Sequence, residues 1–423
     1  MPADDRSEGV VALSRWRAVL ARSRNPRKRV DMLMADPQAA AIVPRIPVEE
    51  LYYLVRGIGL EDATEVVRLA LPEQIQGCLD LDLWSRDRLA MPRVLAWMDA
   101  LAELSPSGLA RAIHALDEEL IALVITREAR VYDRGVGEAP DDESRFVVYQ
   151  TPDAAFHVEF RTTTATAART IERFIARLYD ADPDLARAIL IDAKWGTTAE
   201  LEEESLRWRT ARLADMGFPS YDEALGVYRR IDLVRLASTV AQPEDPVPSE
   251  PAALPVPFAD AFGDDSLLER ALAEIDDPGT LARVAAALVA LLNRVLVADR
   301  VDPSDVDEVR EVTARARDTL SLGLDRLTGA DVAAARVHLE RTPLVDVFRS
   351  GVSLVADLAA RARALDRAGV IDPSLDALLE PRPLFPRALD PEPTAGERPF
   401  RTTADLAAVD AYLRDLERDT PAT

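Results

Sequence analysis

The stretch PVEELYYLVRGIGLEDATEVVRLALPEQIQGCLDLDLW, residues 47–84, decides the fold. Glu49, Glu61 and Glu73 stand twelve residues apart, and the apolar positions behind them repeat in step. Leu51, Ala63 and Ile75 form one row, Leu54, Val66 and Cys78 a second, Val55, Val67 and Leu79 a third. A period of twelve is one short helix with its turn. Such a helix cannot bury its apolar stripe alone, so successive ones must stack. The starts are marked by prolines and acids beside the positive helix end: Pro47 with Glu49 and Glu50, Glu61 with Asp62, Pro72 with Glu73. The pattern continues through 91–104, 107–116 and 118–132, which gives roughly six short helices in a superhelical stack.

Beyond a Gly- and Pro-containing loop at 134–144 the periodicity changes from helix to strand. Phe146 to Tyr149 precede a Pro152-Asp153 turn, and Phe156, Val158 and Phe160 alternate with His157 and Glu159. This pattern predicts a β-hairpin with one wet face, supported by helices over 165–179, 183–191, 199–216 and 221–231. Ser220 and Glu223 make a capping box for the last of these. Six prolines between Gln242 and Phe258 mark an extended linker. Helical periodicity then resumes over 266–275, 280–298, 304–322, 331–339 and 345–367, with a proline-rich tail and a short final helix at 403–416. The expected fold class is mainly α: an N-terminal superhelical stack of short helices, a small α+β insert with one β-hairpin, and a C-terminal helical bundle. The expected domains are 1–133, 145–237 and 259–423, with a linker at 238–258.

The 423 residues carry 74 acids and 51 bases, a formal charge of -23. A surface of that sign repels nucleic-acid phosphates and anionic lipid, so nucleic acid is not an expected partner. The longest apolar run, 281–298, is interrupted by Arg283, Asn293 and Arg294 and reads as a core helix rather than a membrane span. Cys78 is the single cysteine, which rules out an internal disulfide and a multi-cysteine zinc site. With no hydrophobic leader at the N-terminus, a cytoplasmic location is expected. A basic helical segment over 10–35, containing Arg15, Arg17, Arg22, Arg24, Arg27, Lys28 and Arg29, could touch an anionic membrane surface or nucleic acid or dock on an acidic partner; folding back on the acidic body is the favoured expectation.

Two resemblances attach to these residues. Residues 46–84, with their Pro-x-Glu-Glu and Pro-Glu-Gln helix starts, resemble the cytosolic N-terminal domain of bacterial magnesium transporters and the helical domains of the flagellar motor switch protein. That likeness implies a right-handed helical stack used for regulatory contacts, and a magnesium-responsive packing of acidic helix ends. Four segments together, EELYYLVRGIGLEDA (49–63), LDLDLWSRDRL (79–89), LRWRTARLADMGFPSYDEALGVY (206–228) and LLNRVLVADRVDP (291–303), resemble an uncharacterised bacterial family, domain of unknown function 6178. This second likeness spans nearly the whole chain and supplies no activity, cofactor or site residue.

Motifs of catalysis are missing from the sequence. His114, His157 and His338 are far apart, and there is no H-E-x-x-H, Gly-x-Ser-x-Gly elbow or phosphate loop, Gly135-Val-Gly137 being a lone fragment. Cys78 shares its repeat position with Leu54 and Val66 and reads as a buried filler. His114 reads as a core-edge residue. Asp80, Asp82 and Asp87 cluster near Trp84, but aspartates at i and i+2 do not face each other on a helix, so no metal is assigned there or at 299–308. Lys194 precedes Trp195, yet a catalytic lysine needs a desolvated pocket that the sequence does not display.

The richest polar helix is that around Glu203, Arg207, Trp208, Arg209 and Arg212. Glu203 and Arg207 are spaced for an ion pair, Trp208 and Arg212 for a cation–π contact. With His157 on the wet face of the hairpin, the residues His157, Glu203, Arg209 and Arg212 are the candidate ligand-binding set, located between the hairpin domain and the C-terminal helices. No catalytic residue, cofactor or metal site is assigned. The leading functional expectation is a non-enzymatic interaction or regulatory protein, its helical stack presenting a surface to a protein partner or a second copy. A ligand-binding protein or enzyme using the four residues is the alternative, and a magnesium-responsive protein the second.

Overall fold

The structure is a computed structural model that describes residues 25–141, 146–161, 164–232, 258–259, 261–262, 266–391 and 396–419. It divides into two compact units, 1–216 and 217–423. Most of the basic segment at 10–35, and the linker at 238–258 apart from Phe258, lie outside the described residues. The remainder of that basic segment includes helix α1 (Pro26–Met34), capped by the Asn25 side chain.

In the first unit α1 is followed by α2 (Ala39–Ile42), α3 (Val48–Ile58), α4 (Thr64–Leu69) and α5 (Pro72–Asp82). All nine apolar repeat positions are buried: Leu51, Leu54, Val55, Ala63, Val66, Val67, Ile75, Cys78 and Leu79. Helix α3 packs on α5, and α1 on α3. Burial of these rows is what holds helices of six to eleven residues that would fray in isolation. The second repeat is shorter than expected. Its helix begins at Thr64 rather than at Glu61, because 60–63 form a turn in which the Ala63 amide bonds back to Gly59.

Strands β1 (Trp84–Ser85) and β2 (Arg88–Leu89) close a two-residue hairpin over Arg86 and Asp87, with Arg86 in the left-handed region at φ 58°. Asp80 and Asp82 are buried behind it while Asp87 is exposed on the turn, so the three do not converge. Helices α6 (Met91–Ala102), α7 (Pro106–Ala115) and α8 (Glu118–Glu128) come next. The helix expected over 118–132 stops at Glu128, and 129–133 become strand β3 (Ala129–Asp133). It pairs with β5 (Phe156–Phe160), whose other neighbour is β4 (Val147–Gln150), so the sheet order is β3-β5-β4, all antiparallel. The expected hairpin is therefore two strands of three. The apolar face of β3 and β5, with Ala129, Val131, Phe156, Val158 and Phe160, is buried. The expected wet face is only partly wet, since Glu159 is buried and accepts a hydrogen bond from Tyr132 Oη at 3.1 Å.

Helices α9 (Ala165–Ala181), α10 (Pro183–Trp195) and α11 (Thr198–Asp215) complete the unit. They pack directly on the stack: α9 on α6 and α7, α10 and α11 on α8, α11 also on α5. His114 is not at a core edge. It is exposed, with Nε2 3.0 Å from Asp182 Oδ2.

The second unit opens with α12 (Tyr221–Ala224), where the expected capping box is present. The helix runs only one turn before a 3₁₀ turn at Leu225–Tyr228, short of the expected 231. Then follow α13 (Leu267–Ala273), α14 (Pro278–Ala298), α15 (Val306–Thr328), α16 (Val332–Arg341), α17 (Leu344–Arg367), α18 (Pro373–Leu379) and α19 (Thr403–Asp419). Helices α15 and α17 form the central pair. Their approach is close because each presents a glycine. A Cβ on Gly323 would lie 2.2 Å from the Val347 carbonyl oxygen, and one on Gly351 2.3 Å from that of Thr319. Helix α14 is long and apolar enough to cross a membrane by length and composition alone. One of its faces, Val284, Leu288, Leu291, Leu292, Val295 and Leu296, is buried within this unit. In the proline-rich stretch after α18 the described residues form no α-helix, only a 3₁₀ turn at Arg387–Leu389, and are pinned by a bridge between Phe385 and Arg398.

Candidate functional site

The four residues singled out from the sequence lie in the first unit, and none of them lines the cavities described below. Arg212 on α11 is committed to two carboxylates. Its Nε donates to Asp80 Oδ2 at 2.6 Å and its terminal nitrogens to Asp117 at 2.6 and 2.9 Å. Gln76 closes the ring, donating to Asp80 and accepting from the Asp117 amide. Burial raises the Asp80 carboxyl above its ordinary range, against the pull of Arg212. Burial opposes the charge on Arg212, but Asp80 and Asp117 hold its guanidinium well above the usual value. Arg209 donates to the Asp80 carbonyl oxygen at 2.8 Å and lies over the Trp84 ring. These contacts join α11 to the α5 end of the stack rather than to the hairpin.

The expected pairings along α11 are replaced by others. Arg207, not Arg212, lies over Trp208, and Glu202, not Glu203, makes an ion pair, reaching Arg127 at 3.1 Å. Glu203 is exposed. His157 is half-buried, its Nε2 3.4 Å from Gln150 Oε1. Cys78 is buried, and burial with the neighbouring Asp82 and Asp80 pushes its thiol far up, which suits a filler and not a nucleophile. Asp82 accepts from Tyr52 Oη at 3.1 Å and Trp97 Nε1 at 2.8 Å. Among the described residues no group of three or more His, Cys, Asp or Glu is arranged to hold a metal ion.

The strongest candidate lies wholly in the second unit. A cavity of about 210 Å³ is walled by α17 (Phe348, Val352, Val355, Ala359), by Ala316 of α15 and by Phe400. Its polar lining is cationic: Arg315, Arg363 and Arg382, with Tyr228 beside them. Behind them sits one carboxylate, Asp299, at the C-terminal end of α14. It accepts from Tyr228 Oη at 3.0 Å, from Arg315 at 2.6 Å and from Arg382 at 2.6 Å. The Arg382 guanidinium stacks 3.6 Å from the Tyr228 ring centre. Burial and the Asp299 charge raise the Tyr228 hydroxyl far above its usual value, so it remains a neutral donor.

Among the described residues, three lining cations against the one carboxylate bonded behind them give this mouth a positive balance within a chain of charge -23. Arg363 is exposed, and no carboxylate lies within 4 Å of it among the described residues. The lining contains no His, Cys, Ser, Asp, Glu or Lys, and its one hydroxyl apart from Tyr228, Thr319 Oγ1, is bonded to the Arg315 carbonyl oxygen. Such a site has the means to hold an anion beside an apolar group, and no nucleophile–base pair.

Sequence reasoning missed this pocket for a physical reason. Tyr228, Asp299, Arg315, Arg363 and Arg382 come from five separate segments, and no local spacing links them. The one available signal was the RPLFP run at 382–386, whose prolines exclude helix and leave a rigid wall.

No curated protein and no solved structure matches the chain. A family profile does, over residues 8–421, and on that match the chain belongs to the family of unknown function DUF6178.

Proposed function

We propose that this chain is a non-enzymatic binding protein whose second unit holds a small apolar molecule bearing a single carboxylate. The observation that carries the reading is an apolar cavity whose polar lining offers arginines, one of them, Arg363, with no carboxylate within 4 Å among the described residues. Guanidinium groups bind carboxylates through charge-assisted, often paired hydrogen bonds. A cavity of about 150 Å³ holds a benzene molecule. The 210 Å³ here therefore suits one ring, or a chain of similar bulk, with a short acidic arm.

Thermal unfolding followed by far-UV circular dichroism in the presence of phenylacetate, hexanoate and the neutral 2-phenylethanol tests this. All five tryptophans lie in residues 1–216, so indole fluorescence reports on the first unit and serves as the internal control. At 100 times its dissociation constant a ligand stabilises the unit by about 2.7 kcal/mol. The acids should raise the second unit's transition and the alcohol should not. Equal shifts from acid and alcohol, or none, would remove the reading.

A second reading, a protein partner or self-association through the first unit, draws on exposed apolar side chains there: Val147 and Val148 on β4 and Trp208 on α11. Native mass spectrometry that finds only a monomer with nothing bound would count against it. A magnesium-responsive role has only the acidic helix ends as support. Asp80 and Asp82, the two buried acids at the end of α5, already accept hydrogen bonds from Arg212, Gln76, Tyr52 and Trp97.

A further inference from the structure

Strand β3 is an edge strand whose outer backbone groups open onto a second cavity. The Arg134 amide bonds to the Ala155 carbonyl and the Arg161 amide to that of Glu128. With the register Ala129↔Phe160 to Asp133↔Phe156, these bonds turn the amides and carbonyls of Arg130 and Tyr132 toward β5. The groups of Ala129, Val131 and Asp133 therefore face away from the sheet. Asp133 is satisfied, its amide by Glu138 Oε2 at 3.1 Å and its carbonyl by the Glu138 amide. Val131 N–H and C=O have no hydrogen-bond partner among the described residues, although the residue is only 6% exposed. An unpaired donor and acceptor side by side at a buried strand edge is the pattern that an added strand completes.

The cavity beside that edge is about 660 Å³ and runs along Ala129, Arg130, Val131 and Tyr132 to the C-terminal end of α10. Its walls are charged and aromatic. Lys194, one of only two lysines in the chain, has a side chain just 7% exposed; its ammonium sits 2.7 Å from Glu138 Oε2 and 4.6 Å from the centre of the Trp195 ring. The desolvated setting that the sequence did not display for Lys194 is present. It is occupied by an ion pair, and the pairing holds Glu138 below the ordinary carboxyl range. Trp195 is 71% exposed, an unusual state for so large an apolar surface. Arg130 has no carboxylate within ion-pair distance among the described residues, and Arg161 only a loose one, Glu159 at 3.6 Å.

The geometry points to a docking cleft for an extended peptide carrying acidic side chains, which adds to β3 as a fourth strand through Val131 and places a carboxylate against Arg130 and Arg161. Backbone pairing supplies the affinity in this mode and the flanking side chains the specificity. A small anion would use the Val131 amide and leave its carbonyl unmet, whereas a peptide strand meets both. The cationic walls choose the sign of the side chain. This cleft lies in the first unit and is independent of the pocket in the second.

The test uses the full chain and three capped pentapeptides: Val-Asp-Val-Glu-Val, the same peptide N-methylated at its central valine, and Val-Lys-Val-Lys-Val. Binding is read by hydrogen exchange of residues 129–133 and by indole fluorescence, assigned to Trp195 with W195F. The acidic peptide should slow exchange at 129–133, and N-methylation or the lysine exchange should each weaken binding by about tenfold or more. Arg130→Glu, an exposed substitution whose folding is checked by its melting curve, should lose about tenfold for the acidic peptide and gain for the basic one. The proposal is overturned by no protection at 129–133 at millimolar acidic peptide, by undiminished binding of the N-methylated peptide, or by protection at 147–150 instead. Any of these would leave the carboxylate titration of the second unit unaffected.

Discussion

Replacing Arg212 by alanine should destabilise the first unit strongly, and should do so in a way that depends on pH. Arg212 holds Asp80 and Asp117 together where α11 meets α5. The Asp80 side chain is 2% exposed, that of Asp117 15% and that of Arg212 29%. Removing one partner of a buried ion pair costs about 3–5 kcal/mol, because the remaining charge has left water without compensation. Water reaches part of the guanidinium, so the lower end, about 3 kcal/mol, is expected at neutral pH. The pH dependence follows from Asp80, whose folded-state pKa burial already raises above that of the unfolded chain. Between those two values the folded state binds a proton that the unfolded state has released, so stability falls as pH rises through the window. Losing Arg212 widens the window upward. The penalty should therefore shrink by about 1.4 kcal/mol for each pH unit descended within it, toward the ordinary carboxylate range. Urea unfolding followed by tryptophan fluorescence, at pH near 7 and near 5, measures this in the first unit alone. Asp80→Asn should cost less in the Arg212→Ala background than in the native one. A loss below about 1 kcal/mol, or one unchanged with pH, would place the cluster with exposed ion pairs and refute the reasoning.

Other predictions concern packing, the thiol and the second unit. Gly323→Ala, or Gly351→Ala, drives a methyl group into the facing backbone carbonyl and should cost about 1–3 kcal/mol or more, seen as a lower second transition by circular dichroism. Native Cys78 should resist maleimide at mildly alkaline pH and react only as fast as the first unit opens, since the thiol is buried with its pKa pushed up. Prompt labelling would contradict that burial. Asp299→Ala strands two half-buried guanidiniums and should destabilise the second unit by about 2–3 kcal/mol, with part of the loss recovered in saturating phenylacetate. No recovery would argue that these arginines do not meet the ligand's carboxylate.

The helical stack was legible because its signal is local. Twelve-residue spacing of Leu54, Val66 and Cys78 reports burial directly, and each of these side chains is in the core. Proline and acid at helix starts located α3 and α5 within a residue, and likewise α10 at Pro183. Strand β3 was hidden because Val131 and Tyr132 continue an apolar helix pattern, and only pairing with β5, roughly thirty residues on, makes them a strand. The partners of Arg212 were hidden for the same reason: Asp80 is 132 residues away, and the i,i+4 neighbours that the sequence offered lose to a buried carboxylate. Position along α11 identified Arg209 and Arg212 as unusual without showing what they bind. The pocket of the second unit had no signature beyond the RPLFP run, its arginines being scattered among the many that the chain uses in place of lysine.

Isothermal titration calorimetry of phenylacetate into the full chain, and into Arg363→Gln, tests the central claim most directly. Saturable binding of one molecule per chain is expected, weakened about tenfold or more by the substitution, with 2-phenylethanol giving no comparable heat. Absence of saturable heat for the acid, or equal affinity in Arg363→Gln, would contradict it.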